Sequence, residues 1–252
     1  MSSESTIWFI NGASRGIGFA VVEKLLATNP SVFVYAGARD PIKASALQQA
    51  ALKYPGKIAI VKYIAGDVDG NKDIAKVIQE KHSRVDVVLG TAGCGSYLGP
   101  AADTPPEVVR THFETNVIGN LVVFQAMLPL LKASKNPKFI PLSSIGGSLT
   151  AFTISMPLGM TAYAMSKAAL NVLARRIHFE NEWIVCFPLS PGAVETDMAA
   201  SHREMDNSGV LETLEEQSPE KCATLLVKIV DECTREKDGG EFIDIDGSKI
   251  SW

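Results

Sequence analysis

Short apolar runs alternate along this chain with stretches of helical periodicity, and that alternation restricts the possible folds more than any other feature. The apolar runs are Thr6–Ile10, Val32–Ala36, Ile58–Tyr63, Val85–Gly90, Lys138–Leu142, Ile184–Leu189 and Glu241–Ile245. Between them lie helical patterns over Ile17–Ala27, Lys43–Lys53, Asp73–Lys81, Pro106–Lys132, Ala162–Glu180 and Pro219–Glu236. Strand followed by helix, repeated, predicts an α/β fold: a doubly wound parallel sheet of about seven strands with helices on both faces. At 252 residues such a fold fits in one domain, so residues 1–252 are read as a single unit. Asp40-Pro41, Thr104-Pro105 and Ser218-Pro219 are expected helix caps, each a polar residue before a proline in the first turn. Asp197–Gln217 lacks periodicity and is expected to be a lid or substrate loop, since structureless loops longer than about 12–15 residues are usually functional.

Composition narrows the function classes. With 46% apolar and 21% charged residues, the chain can bury a large core without staples. A net charge of −4 gives no basic footprint for nucleic acid. Cys94, Cys186, Cys222 and Cys233 show neither metal-ligand nor disulfide spacing, so no metal is expected and the thiols suit a reducing compartment. Too few residues precede the first strand for a secretory signal. The longest apolar run, around Leu121 to Leu131, is broken by Gln125 and Pro129 and falls short of a bilayer span. A cytoplasmic protein without a membrane partner is the expectation.

The first strand leads into Asn11-Gly-Ala-Ser-Arg-Gly-Ile-Gly18. In a doubly wound sheet, the first strand-to-helix turn is where backbone N–H groups at a helix N-terminus hold a dinucleotide pyrophosphate. Gly12, Gly16 and Gly18 follow a G-x-x-x-G-x-G spacing suited to that task, and a tight packing turn is the plainer alternative. The same stretch contains Gly12-Ala-Ser14-Arg-Gly16, the G-x-S-x-G pattern of a hydrolase nucleophile elbow. Its place after the first strand, and Gly18 beyond it, argue for the phosphate cradle. Arg39 ends the second strand 21 residues after Gly18, where an arginine accommodates a ribose 2′-phosphate, and Arg15 can reach the same group. Both favour NADP(H) over NAD(H). Asp40 could instead bind ribose, but before Pro41 it reads more simply as a cap.

Tyr163 and Lys167 form a Y-x-x-x-K pair in a helical run. Residues four apart share a helix face with Cβ atoms about 5–6 Å apart. A cation beside a phenol favours the phenolate, so Lys167 is expected to bring Tyr163 down from its usual value of about 10 into exchange near neutral pH. Ser143-Ser144-Ile-Gly-Gly follows the fifth strand, at the carboxyl end of the sheet where ligands of open α/β folds bind. A serine hydroxyl there can donate to a substrate carbonyl.

In order and context these segments resemble the short-chain dehydrogenases/reductases over essentially the whole chain. The resemblance rests on the glycine turn, Asp67-Val68, Thr91-Ala92-Gly93, Asn116-Val-Ile-Gly119, Ser144, Tyr163-x-x-x-Lys167 and Pro191-Gly-Ala-Val-Glu-Thr196. It implies a Rossmann-type fold and a nicotinamide-dependent oxidoreductase. Tyr163 would then be the general acid/base, Lys167 the group that tunes it and binds the nicotinamide ribose, Ser144 the carbonyl-orienting hydroxyl, and Asn116 the holder of a relay water. Gly12, Ser14, Arg15, Gly16, Ile17, Gly18 and Arg39 would bind the cofactor phosphates, Asp67, Val68, Ala92 and Gly93 would lie along the adenosine, and Pro191, Gly192, Val194 and Thr196 would line the nicotinamide pocket. Asn11 replaces the usual threonine, Gly90-Thr91 replaces Asn-Asn, and Ser148–Met160 lengthens the interval before Tyr163, leaving Ser143 open as the alternative to Ser144. The insertion and the C-terminal half resemble fungal norsolorinic acid ketoreductase-type carbonyl reductases. The resemblance implies a bulky small-molecule carbonyl substrate and a homodimer or homotetramer. A catalytically silent NADP-binding sensor of the same fold is the alternative.

Overall fold

The computed structural model describes residues 5–252. Six strands form one parallel sheet in the order β3-β2-β1-β4-β5-β6: β1 (Thr6–Asn11), β2 (Val32–Ala38), β3 (Ile58–Lys62), β4 (Val87–Gly90), β5 (Lys138–Pro141) and β6 (Val185–Cys186). The order reverses between β1 and β4, so their carboxyl ends open onto the crevice where ligands of such sheets bind.

Continuously apolar strands belong in a sheet covered on both faces, and alternation along each strand divides the core in two. Trp8 and Ile10 of β1 face α1 (Gly16–Thr28), α2 (Ser45–Lys53) and α8 (Pro219–Glu232), packing with Val22, Leu25, Leu47 and Leu226. Ile7 and Phe9 face α3 (Val68–His82), α5 (Gly119–Lys132) and α6 (Thr161–Glu180), packing with Ile78, Val123, Met127 and Ile177. All seven expected strand positions are occupied, with one correction. The run Ile184–Leu189 is split at Pro188, which has no N–H to give the ladder. Its second piece, β7 (Leu189–Ser190), pairs with β8 (Ile243–Asp244) and bridges back to Leu142.

Of the expected caps only Ser218 serves a helix, accepting from Lys221 N–H at 3.2 Å. Asp40 accepts from Ile42 and Lys43 N–H and closes a turn, while α2 begins later, at Ser45. Thr104 donates to the carbonyls of Gly99 and Pro100, so it braces the loop before α4 (Pro106–Phe113). The stretch Pro106–Lys132 is helical throughout but contains a π turn, Glu114–Ile118, between α4 and α5. Its 27-residue length and an 18-residue window of mean hydropathy 1.2 are enough for a membrane span, yet half of that window is buried within the fold. Asp197–Gln217 is not the structureless loop expected: α7 (Asp197–Met205) occupies its first half, capped by Thr196 Oγ1 accepting from Ala199 N–H at 3.2 Å. Asp197 in its first turn and Arg203 in its last complement the helix dipole.

Candidate active site

The glycine turn lies at the switch point between β1 and β4. Gly12 and Gly16 take φ of +65° and +56°, where a side chain is strained. A Cβ on Gly12 would meet the Ala92 backbone at 2.7 Å, and one on Gly18 the Gly12 carbonyl at 2.6 Å. Asn11 joins the two strand ends: its Oδ1 accepts from Ala92 N–H at 2.7 Å, and its carbonyl accepts from the Thr91 hydroxyl. The departures at Asn11 and Thr91 therefore bond to each other, and Gly90 leaves the space that the Asn120 amide fills.

Around this turn are the other residues expected at a cofactor. Helix α1 starts at Arg15 and Gly16 with no side-chain cap and no acid in its first turn, so its N-terminal N–H groups lack a protein anion. Ser14 and Ile17 are partly exposed beside them. The Thr196 methyl lies 3.4 Å from the position of a Gly16 Cβ, which brings Pro191–Thr196 across the cleft from the turn. That second wall is tied down by Gln217, whose amide donates to the Pro191 carbonyl at 3.0 Å and whose backbone bridges Val194. Gly192, at φ +70°, turns the chain there. Arg39 is exposed and has no ion-pair partner among the described residues, whereas Arg15 pairs with Asp197 on α7 at 2.8 Å. Asp67 caps α3 by accepting from Gly70 N–H at 3.0 Å, and Val68 beside it is exposed. A cradle closed to any side chain, an uncapped helix start and an unpaired arginine fit a dinucleotide cofactor.

The catalytic candidates converge on α6. Gly93 lies beside Asn116, Met198 and Lys167, whose Oδ1, Cε and Nζ are 3.7, 3.8 and 4.0 Å from its Cβ position. Lys167 is buried, donates to the Leu142 carbonyl at 2.7 Å, and has its Nζ 5.5 Å from the Tyr163 ring centroid. Burial lowers Lys167 from 10.5 to about 8. Burial raises Tyr163 from 10.0 to about 12, against a hydrogen bond from Ser144 that pulls it down. This runs against the expected activation: desolvation raises the phenol more than the Ser144 hydrogen bond lowers it, and the phenol stays protonated.

Ser144 and Ser143 divide as neighbouring residues of an extended segment do. Ser144 faces Tyr163. Ser143 is buried and donates to Asn171 Oδ1, one turn along α6 from Lys167, leaving it no hydroxyl for a substrate. Asn116, within the π turn, has its side chain fully engaged: Oδ1 accepts from Cys94 N–H at 2.7 Å, and Nδ2 donates to the Cys94 carbonyl at 2.9 Å and to Ser166 Oγ at 2.8 Å. Its backbone carbonyl accepts from Asn120 Nδ2 at 2.8 Å.

Two residues at the site escaped the sequence reading. Ser166 links Asn116 to the Tyr163 carbonyl, 2.7 Å away, and its position inside the Y-x-x-x-K motif was the available signal. His202 stands with its ring 5.7 Å from that of Tyr163, edge to face, within the segment taken for a loop. The hydrolase alternative fails for want of a base: His82, His112, His178 and His202 bond to Tyr35, Val108, Arg235 and Gly95, and none to Ser14.

The sequence model of the short chain dehydrogenases matches residues 6–207. An uncharacterized oxidoreductase of Schizosaccharomyces pombe is 33% identical over 258 residues, covering 99% of each chain. A norsolorinic acid ketoreductase of Emericella nidulans is 31% identical over 256 residues, covering 100% of this chain and 95% of that one. Among solved structures, the NADPH-bound carbonyl reductase from chicken fatty liver matches with a TM-score of 0.86 at 29% identity, over 99% of this chain and 100% of the other. Fold, site and sequence agree that this chain belongs to the short-chain dehydrogenase family, as an oxidoreductase acting at carbonyl or alcohol groups.

Proposed function

We propose that this protein is an NADPH-dependent reductase of a bulky ketone or aldehyde, with Tyr163 as its proton donor. The observation that carries the reading is the half-buried phenol of Tyr163, still protonated, with the Ser144 hydroxyl bonded to it and the Lys167 ammonium near its ring. Reduction turns a carbonyl oxygen into an alkoxide that must take up a proton, and a neutral phenol is the group for that step.

In this reading Ser144 donates to the substrate oxygen and orients the carbonyl, and Tyr163 delivers the proton. Lys167 holds the nicotinamide ribose and keeps positive charge near the developing alkoxide. When bound, the reduced nicotinamide supplies the hydride that goes to the carbonyl carbon. Arg39 and Arg15 favour the 2′-phosphate of NADPH, and the chicken structure of the same fold is described with NADPH bound. The Emericella nidulans relative is named a ketoreductase, which supports a ketone. Residues 1–252 act as one catalytic domain in the cytoplasm, self-associating through the helices that carry Asn116 and Tyr163, where Ile118, Met165, Val172 and Phe179 are exposed.

The test is fluorescence titration of the purified protein with NADPH and NADH, followed at saturation by a panel of bulky ketones and aldehydes with absorbance read at the nicotinamide band. Tighter binding of NADPH, with turnover of at least one bulky carbonyl, is expected. Binding without any turnover would support the sensor instead, and no binding would overturn the reading of the glycine turn.

A further inference from the structure

The chain leaving β4, Cys94–Ser96, passes beside the catalytic residues, and side chains from three elements hold its backbone. Asn116 takes both polar groups of Cys94. His202 Nε2, on α7, lies 2.6 Å from the Gly95 carbonyl, and His112 Nε2, on α4, lies 3.4 Å from Ser96 N–H. A carbonyl only accepts, so His202 carries its proton on Nε2. An amide N–H only donates, so His112 Nε2 is bare and its proton sits on Nδ1, facing the Val108 carbonyl 2.8 Å away. Both histidines are buried and each is fixed in one tautomer by its partners.

Helix α7 also lays two side chains four residues apart, Met198 and His202, against Gly95. A Cβ there would stand 2.5 Å from His202 Nε2 and 3.1 Å from the Met198 sulfur. Gly95 is thus the place where α7 closes onto the site, and no larger residue fits beneath it. The same imidazole stands edge to face with the Tyr163 ring, at 5.7 Å between centroids and 79° between planes. Lys167 Nζ lies 5.5 Å from the same ring.

We propose that His202 is a positioning residue for the reaction: its bond to Gly95 seats α7 on the Cys94–Ser96 segment, and its ring holds Tyr163 at the angle from which the hydroxyl meets the substrate. The inference rests on the reading of Tyr163 as proton donor. A histidine that merely filled the core would stabilise the fold without affecting catalysis in the folded protein. Because small displacements of a reacting group are costly to rate, the two roles separate experimentally.

His202→Leu keeps the bulk and loses the donor, whereas His202→Gln keeps a donor at similar reach. Amide hydrogen exchange of the cofactor-free protein is read over Gly95–Ser96 and Asp197–Met205, alongside kcat and KM on a reducible ketone. His202→Leu is expected to speed exchange in both segments and lower kcat by roughly tenfold or more, with the Kd for NADPH within about twofold of the parent, and His202→Gln to recover most of the loss. Gly95→Ala, which leaves both histidines in place, should reproduce the His202→Leu result. Combined with His202→Ala it should be no worse than His202→Ala alone, because the added methyl then meets no ring. The proposal is overturned if His202→Leu leaves exchange and kcat within about twofold of the parent, if His202→Gln is as impaired as His202→Leu, or if Gly95→Ala is silent. A parent protein that turns over no ketone would sink the reductase reading and the catalytic part of this one, while exchange in the variants would still decide whether His202 latches α7.

Discussion

Lys167 is a buried charge at a fold-critical position, and its burial has a sign that can be measured. Its pKa falls from 10.5 to about 8 on folding, so the ammonium is carried at a cost of about 3 kcal/mol at pH 7. The folded form loses its proton first on raising the pH, so this cost is relieved between about pH 8 and 10.5. Replacing the residue by an apolar one of similar length removes the cost but strands the Leu142 carbonyl, worth about 1–3 kcal/mol. Lys167→Met is therefore expected to abolish ketone reduction while its Tm at pH 7 stays level or rises. A Tm several degrees lower would show that the lysine is retained for stability. Tyr163, at about 12, remains an acid over the whole working range, so the reductive rate should be flat at neutral pH and fall above about pH 8 as Lys167 deprotonates. At the other end of the cofactor cleft, Arg39 has no protein partner among the described residues and the reading gives it the 2′-phosphate. Arg39→Asp should raise the KM for NADPH at least tenfold and shift preference toward NADH, and an unchanged NADPH KM would remove Arg39 from the site.

At the scale of elements, the glycine turn makes a separate prediction, because its glycines are needed for different reasons. Gly12 and Gly16 have left-handed backbone, whereas Gly18 has room for no side chain. Gly18→Ala drives a methyl against the Gly12 carbonyl and the Thr91 hydroxyl, so the turn must open. Cofactor Kd is expected to weaken about tenfold or more with the secondary structure intact by circular dichroism, and wild-type affinity would show that the turn does not touch the cofactor. The positions of this turn, of every strand and of the main helices were legible in the sequence, because apolar runs and glycine spacing directly reflect burial and close approach. The π turn was not, since one extra residue per turn leaves the apolar pattern of Pro106–Lys132 almost unchanged. Nor was α7, a short polar helix whose signal lies in its ends: the Thr196 cap, Asp197 in the first turn and His202-Arg203 in the last. The proline splitting the sixth strand was visible in the sequence, and its effect follows from the missing N–H.

Across the whole molecule, two apolar layers pin a parallel sheet whose carboxyl ends meet at one crevice, and residues far apart in sequence converge there from separate elements. Gly12 comes from the β1 end, Gly93 from the β4 end, Ser144 from the β5 end, Asn116 from the π turn and Tyr163 and Lys167 from α6. Which residues assemble was legible in the sequence through family motifs. How they are charged was not, because burial depends on the completed fold: Lys167 does not lower Tyr163 here, and desolvation holds the phenol neutral. In the proposed reaction this neutral phenol is the proton donor of a carbonyl reductase. Steady-state reduction of a responsive ketone by Tyr163→Phe, with NADPH binding followed by fluorescence on the same preparation, tests it most directly. Loss of more than about nine-tenths of kcat is expected, with the NADPH Kd nearly unchanged; a variant that binds NADPH and keeps more than a tenth of the parent rate would rule out Tyr163 as the donor.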